Sequence, residues 1–157
     1  MKLIDRTFNN GGTATLTWIG GIDFLELYTL DTVFNNQAGA TLTIQSSTAP
    51  RIMAGPGTFN NEGRVILDSL GETIQINTKF VNASTGVIEV VSGTLQIDNM
   101  APTTNSGGYH VLAGATLHLG GVGHNLTGNI VATGGGTLER PAVGRRGGTL
   151  DWTEQTP

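Results

Sequence analysis

The sequence predicts an all-β chain folded as a parallel β-solenoid, and three observations support this. An aromatic residue followed closely by Asn recurs at Phe8, Phe34, Phe59 and Phe80, with spacings of 26, 25 and 21 residues. Each copy leads into an alternation of apolar and β-branched or polar residues, which is typical of short strands. Glycine supplies 24 of the 157 residues and charged residues only 13%, which argues against a helical bundle and a charged disordered tail. A period in the twenties is characteristic of solenoids, whose units bury their apolar faces against their neighbours.

The regular repeats run over residues 8–98, and each one holds two or three short strands. Gly, Asn and Ser separate the alternating segments, as expected where a chain turns between strands. The predicted strands are, in order, 13–19, 24–30, 40–45, 52–53, 64–68, 73–77, 86–91 and 94–98.

The pattern is interrupted once and then continues in a weaker form. Residues 99–108 are polar and contain Pro and Gly, so we predict a loop at one edge of the solenoid. Degenerate repeats follow over residues 109–152, with a Gly-Thr-Leu cassette at 93–95, 136–138 and 148–150. Because the pattern is still running near the C-terminus, we interpret residues 1–157 as one solenoid domain, a segment of a longer protein or a filament subunit.

The recurring residues predict ladders inside the solenoid. Leu16, Leu42, Ile66 and Ile88 follow the opening Phe by eight residues, or seven at Phe59, and are expected to stack at about 4.8 Å per coil. An amide ladder is expected from Asn9, Asn35, Asn60 and Asn82, or from the neighbours Asn10, Asn36 and Asn61. The predicted interior residues are Phe8, Leu16, Phe34, Leu42, Ile44, Phe59, Ile66, Ile74, Ile76, Phe80, Ile88, Val90, Leu95 and Ile97.

The unit FVNASTGVIEVVSGTLQI, at residues 80–97, carries a family resemblance. It resembles the degenerate repeats of right-handed parallel β-helix regions in bacterial surface proteins, such as filamentous-haemagglutinin-type adhesins and autotransporter passengers. Pectin-lyase-like proteins and some phage tailspikes carry similar repeats. The resemblance covers residues 8–98 well and 109–150 loosely. It implies a right-handed rod that presents loops, and it supplies no site residue.

We therefore predict a right-handed parallel β-helix of about six or seven coils, roughly 30 Å long at the usual strand spacing. The main structural rival is a β-sandwich, which needs antiparallel hairpins. A fold that places Phe34 far from Phe59 would contradict the solenoid.

Composition excludes several classes of partner. The formal net charge of −4 and the eight Lys and Arg residues argue against nucleic acid, and Arg145-Arg146 is the only basic cluster. Without cysteine the chain has neither thiol chemistry nor disulfides. No apolar run suggests a membrane span, and no signal peptide is visible at the N-terminus. We expect an extracellular or cell-surface location, as part of a longer secreted protein or fibre.

None of the histidines or acidic residues is predicted to be catalytic, metal-binding or cofactor-binding. His118 and His124 flank a Gly-containing turn but match no zinc spacing, so they are interpreted, with His110, as surface residues. Asp68 and Glu89 are expected to lie near one another, as a solvated pair without a matched basic partner. No Asp-rich loop suggests calcium.

Two further patterns have simple interpretations. The Thr-x-Thr segments at 13–17 and 41–43 would favour ice binding only if outward threonines were repeated in every coil. In later coils Asp68, Glu89 and Gln96 are expected at the equivalent outward positions, so the array is not regular. The sequons that begin at Asn82 and Asn125 fit glycan acceptors.

The predicted function is a non-catalytic structural and adhesive segment of a secreted or surface-displayed fibre. Its expected partners are further copies of the chain, joined through exposed solenoid ends or by trimerisation, and cell-surface glycans or host receptors. The alternative is a polysaccharide-binding or -cleaving β-helix resembling pectin lyases or tailspikes. That alternative requires carboxylates with an Arg or Lys on adjacent coils, and exposed aromatics such as Trp18, Tyr28 or Tyr109.

Overall fold

The chain is a parallel β-solenoid, as predicted. The computed structural model describes residues 2–18, 25–46, 51–128, 130–132 and 135–139, and every regular element among them is a β-strand. All pairs between these strands are parallel. Within the described ranges no helix is long and apolar enough to cross a membrane.

Each coil contributes a strand to three faces, which we name after their residues. The aromatic face holds β2 (Thr7–Asn10), β5 (Val33–Asn36), the ends of β7 (Arg51–Asn61) and β8 (Arg64–Asn82), β10 (Thr103–Asn105) and β13 (His124–Leu126). The Arg64 face holds β3 (Thr13–Trp18), β6 (Thr41–Ser46), the starts of β8 and β9 (Val87–Asn99), β11 (Gly108–Val111) and β14 (Ile130–Ala132). The threonine face holds β1 (Lys2–Leu3), β4 (Leu25–Leu27), the start of β7, the middle of β8, the end of β9, β12 (Thr116–Gly121) and β15 (Thr137–Glu139).

Within the described residues six strands stack on the aromatic face and six on the Arg64 face, which makes about five turns from the first layer to the last, slightly fewer than the six or seven coils predicted. Two neighbouring sequence cassettes often belong to a single coil. For example, β11 stacks on the start of β9 while β12 stacks on its end. In addition, the segment interpreted as an edge loop contains β10, which pairs with β13.

The aromatic ladder runs through four coils. Ring centroids of Phe8 and Phe34 lie 5.0 Å apart in a stacked arrangement, whereas Phe34–Phe59 and Phe59–Phe80 are edge contacts at 5.3 and 5.1 Å. Offset and edge geometries are the favourable ones for aromatic pairs. The proximity of Phe34 and Phe59 and the parallel pairing contradict the β-sandwich rival.

The predicted aliphatic ladder on the Arg64 face had the wrong register. The structure stacks two interior columns there, Ala14–Leu42–Val65–Ile88 and Leu16–Ile44–Leu67–Val90. The corner between the aromatic and Arg64 faces holds two residues after Asn10 and Asn61 but four after Asn36 and Asn82. Counting a fixed distance from each Phe therefore mixes the columns. An even number of residues always separates the Phe from an interior position, because side chains alternate along a strand.

Three of the predicted interior residues are not fully buried. Ile66 is half-buried and on the outer side, in register with Thr43 and Glu89, since it lies an odd number of residues after Phe59. Phe8 is 41% exposed and Leu16 is half-buried, because their strands, β2 and β3, have a paired strand on one side only among the described residues. The other predicted interior residues are buried.

Candidate functional site

The inner asparagines form a buried amide ladder along the corner of the aromatic face. The Nδ2 atoms of Asn10, Asn36 and Asn61 each donate to the Oδ1 of the next asparagine, at 2.8 Å in each case, and the last acceptor is Asn82. Each of the four Nδ2 atoms also donates to a backbone carbonyl of the following coil, at 3.1–3.4 Å. Asn82 thus belongs with Asn10, Asn36 and Asn61, not with the set that begins at Asn9.

A second, outer ladder runs in the opposite direction. Asn35 donates to Asn9 at 2.8 Å, and Asn60 donates to Asn35 at 2.9 Å. Because the two ladders donate toward opposite ends of the solenoid, their amide dipoles partly cancel. The outer ladder ends where Val81 replaces asparagine.

The backbone carbonyl of each inner asparagine binds the next corner. The Asn36 carbonyl accepts from the amides of Glu62 and Gly63, at 2.8 and 3.1 Å. The Asn82 carbonyl accepts in the same way from Ser106 and Gly107, at 3.0 and 3.1 Å. In each of these coils the inner asparagine therefore bonds through its side chain to the asparagine of a neighbouring coil and accepts through its backbone carbonyl from the next corner. These two sets of hydrogen bonds explain why asparagine recurs once per coil.

Close packing of successive corners also explains the glycines. A Cβ atom at Gly63 would lie 2.4 Å from the Ala40 carbonyl oxygen and 2.5 Å from that of Gln37. A Cβ atom at Gly107 would lie 2.4 Å from the carbonyl oxygen of Ala83. These backbone atoms belong to the preceding coil and cannot move aside, so only glycine fits.

A buried polar cluster continues the interior where the Phe and Asn ladders end. Asn99 Nδ2 donates to Thr103 at 2.6 Å and contacts His124 Nδ1 at 3.2 Å, while its Oδ1 accepts from the Phe80 amide at 2.7 Å. His124 Nε2 lies 2.8 Å from the Gly120 carbonyl oxygen. The interpretation of His124 as a surface residue was therefore wrong. Its ring stands in the interior, close to polar partners that a count of sequence spacing does not reveal.

Tyr109 fills the interior of the same region. It stacks on Ile88, one coil before, and is 1% exposed. Burial raises the pKa of its hydroxyl well above the usual range, and nearby Asn82 offsets only part of this rise. The contact with Asn82 lacks hydrogen-bond geometry, which leaves the buried hydroxyl without a hydrogen-bond partner in the described structure. The hypothesis that Tyr109 is an exposed aromatic for sugar binding was therefore wrong.

The remaining histidines lie on the outside. His118 Nδ1 is 3.3 Å from the Glu139 carboxylate, and His110 is exposed beside Glu89 in register. No group of three or more metal-binding side chains occurs among the residues that the structure describes.

Asp68 and Glu89 occupy adjacent coils of the Arg64 face, with separate partners. The Arg64 guanidinium pairs with the Glu89 carboxylate, and its Nε donates at 2.9 Å. Ser92 Oγ donates to Asp68 Oδ1 at 2.7 Å and accepts from the Leu70 amide at 3.0 Å. The expectation that these carboxylates lack a basic partner was wrong for Glu89. The sequence did contain a signal for this pair. Arg64 lies two positions before Ile66, which is the register partner of Glu89, so Arg64 is diagonally across from Glu89 on the neighbouring strand.

The threonine face carries polar side chains in a regular register. Four threonines align in register over successive coils, each followed two residues later by a second outward polar residue. Gln75 Nε2 donates to Gln96 Oε1 at 3.4 Å, and Gln96 Nε2 donates to Asp98 Oδ2 at 2.7 Å. The aligned threonines are Thr73, Thr94, Thr116 and Thr137.

The other surface motifs differ in accessibility. Thr13 and Thr15 lie in register with Thr41 and Thr43, and Arg64 then ends the Thr-x-Thr array. Asn82 is fully buried in the amide ladder and so cannot accept a glycan, whereas Asn125 is exposed. Tyr28 is 51% exposed, under the Lys2 ammonium, and the side chain of Trp18 lies outside the described set.

Comparison with known proteins leaves the fold as the only class assignment. No protein-family model, curated protein or solved structure matches the chain.

Proposed function

We propose that the chain is a non-catalytic structural and adhesive segment of a secreted or surface-displayed fibre. The threonine face carries the proposal, since it offers Thr side chains in register over four coils beside a second polar column. Five turns correspond to a rod of about 24 Å at the usual strand spacing. The resemblance to adhesin repeats supports the location at a cell surface and the choice of glycans or host receptors as partners.

The stacked interior supports a structural role as a stiff rod. Aromatic, aliphatic and amide ladders run parallel to the solenoid axis, so each coil is held by its neighbours through several kinds of contact. Nearest-neighbour stacking of this kind makes a rod whose stiffness does not depend on one central core.

The test is binding to a panel of neutral and acidic glycans and to intact host cells. We expect retention without depolymerisation of any glycan. Thr116→Lys should weaken retention, because a long charged side chain would project from the middle of the threonine face. Thr43→Lys places the same change on the Arg64 face and should have no effect. Equal retention by all three proteins, or no retention at all, would refute the adhesive part of the proposal.

Self-association forms part of the same proposal, with end-to-end stacking preferred over trimerisation. Among the residues that the structure describes, β2 and β3 pair on one side, with β5 and β6, and strand edges of this kind pair with other chains. Light scattering and negative-stain microscopy distinguish the two, since stacking gives rods of increasing length and trimerisation a single mass. A strictly monomeric species at high concentration would contradict both.

A second candidate function is polysaccharide cleavage, favoured by one observation. Glu89 has an Arg partner, and Asp68 and His110 lie on the coils before and after it on one face. Carboxylates with a basic partner on adjacent coils suit acid–base chemistry on a sugar chain. Depolymerisation that is lost in both Asp68→Ala and Glu89→Ala would establish this function and overturn the structural one.

A further inference from the structure

Gly120 is a glycine that its own backbone does not require. Its φ lies outside the left-handed region, and it stands in β12 in register with Asp98 on β9. A Cβ atom at Gly120 would collide with Asp98 Oδ1 and lie 3.3 Å from His118 Nε2, both side-chain atoms. At the corner residues Gly63 and Gly107 the closest atoms are backbone carbonyl oxygens instead. Gly120 therefore leaves space for the Asp98 carboxylate to lie across the neighbouring strand, a use of glycine that marks close approach within a sheet.

Two glutamine amides orient the Asp98 carboxylate. Gln75 donates to Gln96, and Gln96 Nε2 in turn donates to Asp98 Oδ2 at 2.7 Å. Asp98 Oδ1 accepts no hydrogen bond from the described part of the chain, although a carboxylate oxygen can accept two. The half-buried side chain therefore has one oxygen held in place, and it offers the other to a donor from outside the protein.

The surface around Asp98 carries hydroxyls, amides and carboxylates but no strong cation. Among the described residues from Thr73 to Glu139, the outward positions of the threonine face hold no Lys or Arg. The His118 ring already has the Glu139 carboxylate as a neighbour, at 3.3 Å from its Nδ1. Like charges that face each other across an interface are costly. This surface therefore disfavours a ligand with carboxylates or sulfates and favours one with hydroxyl groups.

The outward side chains form three columns that run along the solenoid axis. The columns lie about 6.6 Å apart, at every second residue of a strand, and each repeats at about 4.8 Å per coil. The middle column holds Gln75, Gln96 and His118. A sugar chain laid along it has the threonine hydroxyls on one side and Asp98 on the other. Linear β-1,4-linked pyranoses suit this direction, because each sugar advances by a distance close to that between neighbouring strands, so that one sugar meets one coil.

We propose that Asp98, held by Gln96 and given space by Gly120, is the specificity-determining residue of a subsite that binds neutral β-1,4-linked sugar chains along the threonine face. Asp98 Oδ1 accepts a hydrogen bond from a sugar hydroxyl. A hydrogen bond to an ionised acceptor is roughly twice as strong as one between neutral groups, so this contact dominates the affinity. The inference rests on the proposed adhesive function and narrows its ligand from glycans in general to neutral, linear ones.

The test is a titration of the isotope-labelled protein with sugar hexamers, followed through backbone amide chemical shifts in NMR spectra. The neutral probes are the β-1,4-linked hexamers of glucose, mannose and N-acetylglucosamine. Each is compared with the same hexamer after oxidation of its primary alcohols to carboxylates. We expect at least one neutral hexamer to bind, with the largest shifts at Thr94, Thr116 and Gly120. It should bind at least about tenfold more tightly than its oxidised form, and high salt should reduce this difference by screening the repulsion.

Two variants separate the role of the carboxylate from that of the remaining surface. Asp98→Asn keeps the shape of the side chain but removes its charge, and should weaken binding of the neutral hexamer at least about fivefold. Gly120→Ala places a methyl group where Asp98 Oδ1 lies, and should weaken binding by a similar factor. Its thermal midpoint should not fall, because only the end of a flexible side chain must move.

Matched controls lie at the corner between the aromatic and Arg64 faces. Glu62→Gln removes an exposed carboxylate there, as Asp98→Asn does on the threonine face. Gly12→Ala adds a methyl group where no heavy atom lies within 4 Å among the described residues. Neither control should change the binding of the neutral hexamer.

Several outcomes overturn the inference. These are failure of all three neutral hexamers to bind, equal or tighter binding of the oxidised forms, shifts confined to another face, and undiminished binding by Asp98→Asn or Gly120→Ala. Failure of the adhesive function itself has a different signature. Retention on host cells or acidic glycans that Thr116→Lys still weakens would leave that function standing with another ligand, whereas retention that Thr116→Lys leaves unchanged would remove it.

Discussion

The inner amide ladder should contribute more to stability than any other polar feature of the interior. Asn61 occupies its middle: it accepts from Asn36 and donates to Asn82, both at 2.8 Å, in a fully buried site. Asn61→Leu keeps the approximate volume but leaves Asn82 Oδ1 without its donor and removes one of the two acceptors of Asn36 Nδ2. Each buried group left unpaired costs about 1–3 kcal/mol, so we expect a loss of about 3 kcal/mol in the free energy of unfolding, after some gain from the buried Leu.

Asn60 provides the matched control, one residue earlier on the same strand. It donates to Asn35 at 2.9 Å but is half-buried, so water can replace the lost partner. Asn60→Leu should cost less than about 1 kcal/mol. The assay is urea unfolding followed by circular dichroism, with both variants compared at equal m-values. A cost for Asn61→Leu no greater than that for Asn60→Leu would refute the view that the inner ladder is a major source of stability.

Three other predictions concern single residues, and thermal or urea unfolding checks each of them. Gly63→Ala should lower the free energy of unfolding by about 2 kcal/mol, because the added Cβ meets carbonyl oxygens of the preceding coil. Gly12→Ala is the control, since a Cβ there has no heavy atom within 4 Å among the described residues. Equal costs for the two variants would contradict the crowding argument. Leu70 has a φ of 52° and is 78% exposed, so Leu70→Asn should stabilise by about 0.5–1 kcal/mol. Leu30→Asn, at an equally exposed Leu without a positive φ, should have no such effect, and equal effects would contradict the strain argument. The pKa of Tyr109 is raised in the folded state. Its contribution to the free energy of unfolding is therefore fully present below the unfolded-state pKa of about 10 and is lost as the pH rises above that value. Tyr109→Phe should lack this alkaline loss and be about 1 kcal/mol more stable at neutral pH; an unchanged alkaline profile would exclude Tyr109 as its cause.

The sequence predicted the solenoid because its strongest signals come from interactions between adjacent coils. Phe and Asn recur once per turn since each stacks on its own kind, and the glycines recur since one corner crowds the next. Such signals fix which segments are equivalent. They do not fix the register that pairs Leu42 with Val65, because the corner before each strand holds either two or four residues. A difference of two residues leaves the alternation of inward and outward side chains unchanged, so the sequence pattern does not reveal it.

The polar interior could not be predicted in the same way. Asn99, Thr103 and His124 replace the Phe and Asn ladders with hydrogen bonds between residues up to 25 positions apart, and none of these repeats along the chain. His124 is buried because Asn99 and the Gly120 carbonyl are close to it, which depends on how two coils meet. The Arg64–Glu89 pair was overlooked for a similar reason, since the two residues lie diagonally across neighbouring strands.

The central claim, parallel stacking in a defined register, is tested most directly by disulfide formation on the threonine face. The chain has no cysteine, so pairs can be introduced without interference. Thr94 and Thr116 are register partners, and adjacent strands lie about 4.8 Å apart, within the Cα range that a disulfide accepts. Thr94→Cys with Thr116→Cys should therefore oxidise rapidly to one intramolecular bond, whereas Thr94→Cys with His118→Cys, offset by two residues, should remain reduced under the same conditions. Rapid oxidation of the offset pair, or none in the register pair, would contradict the account.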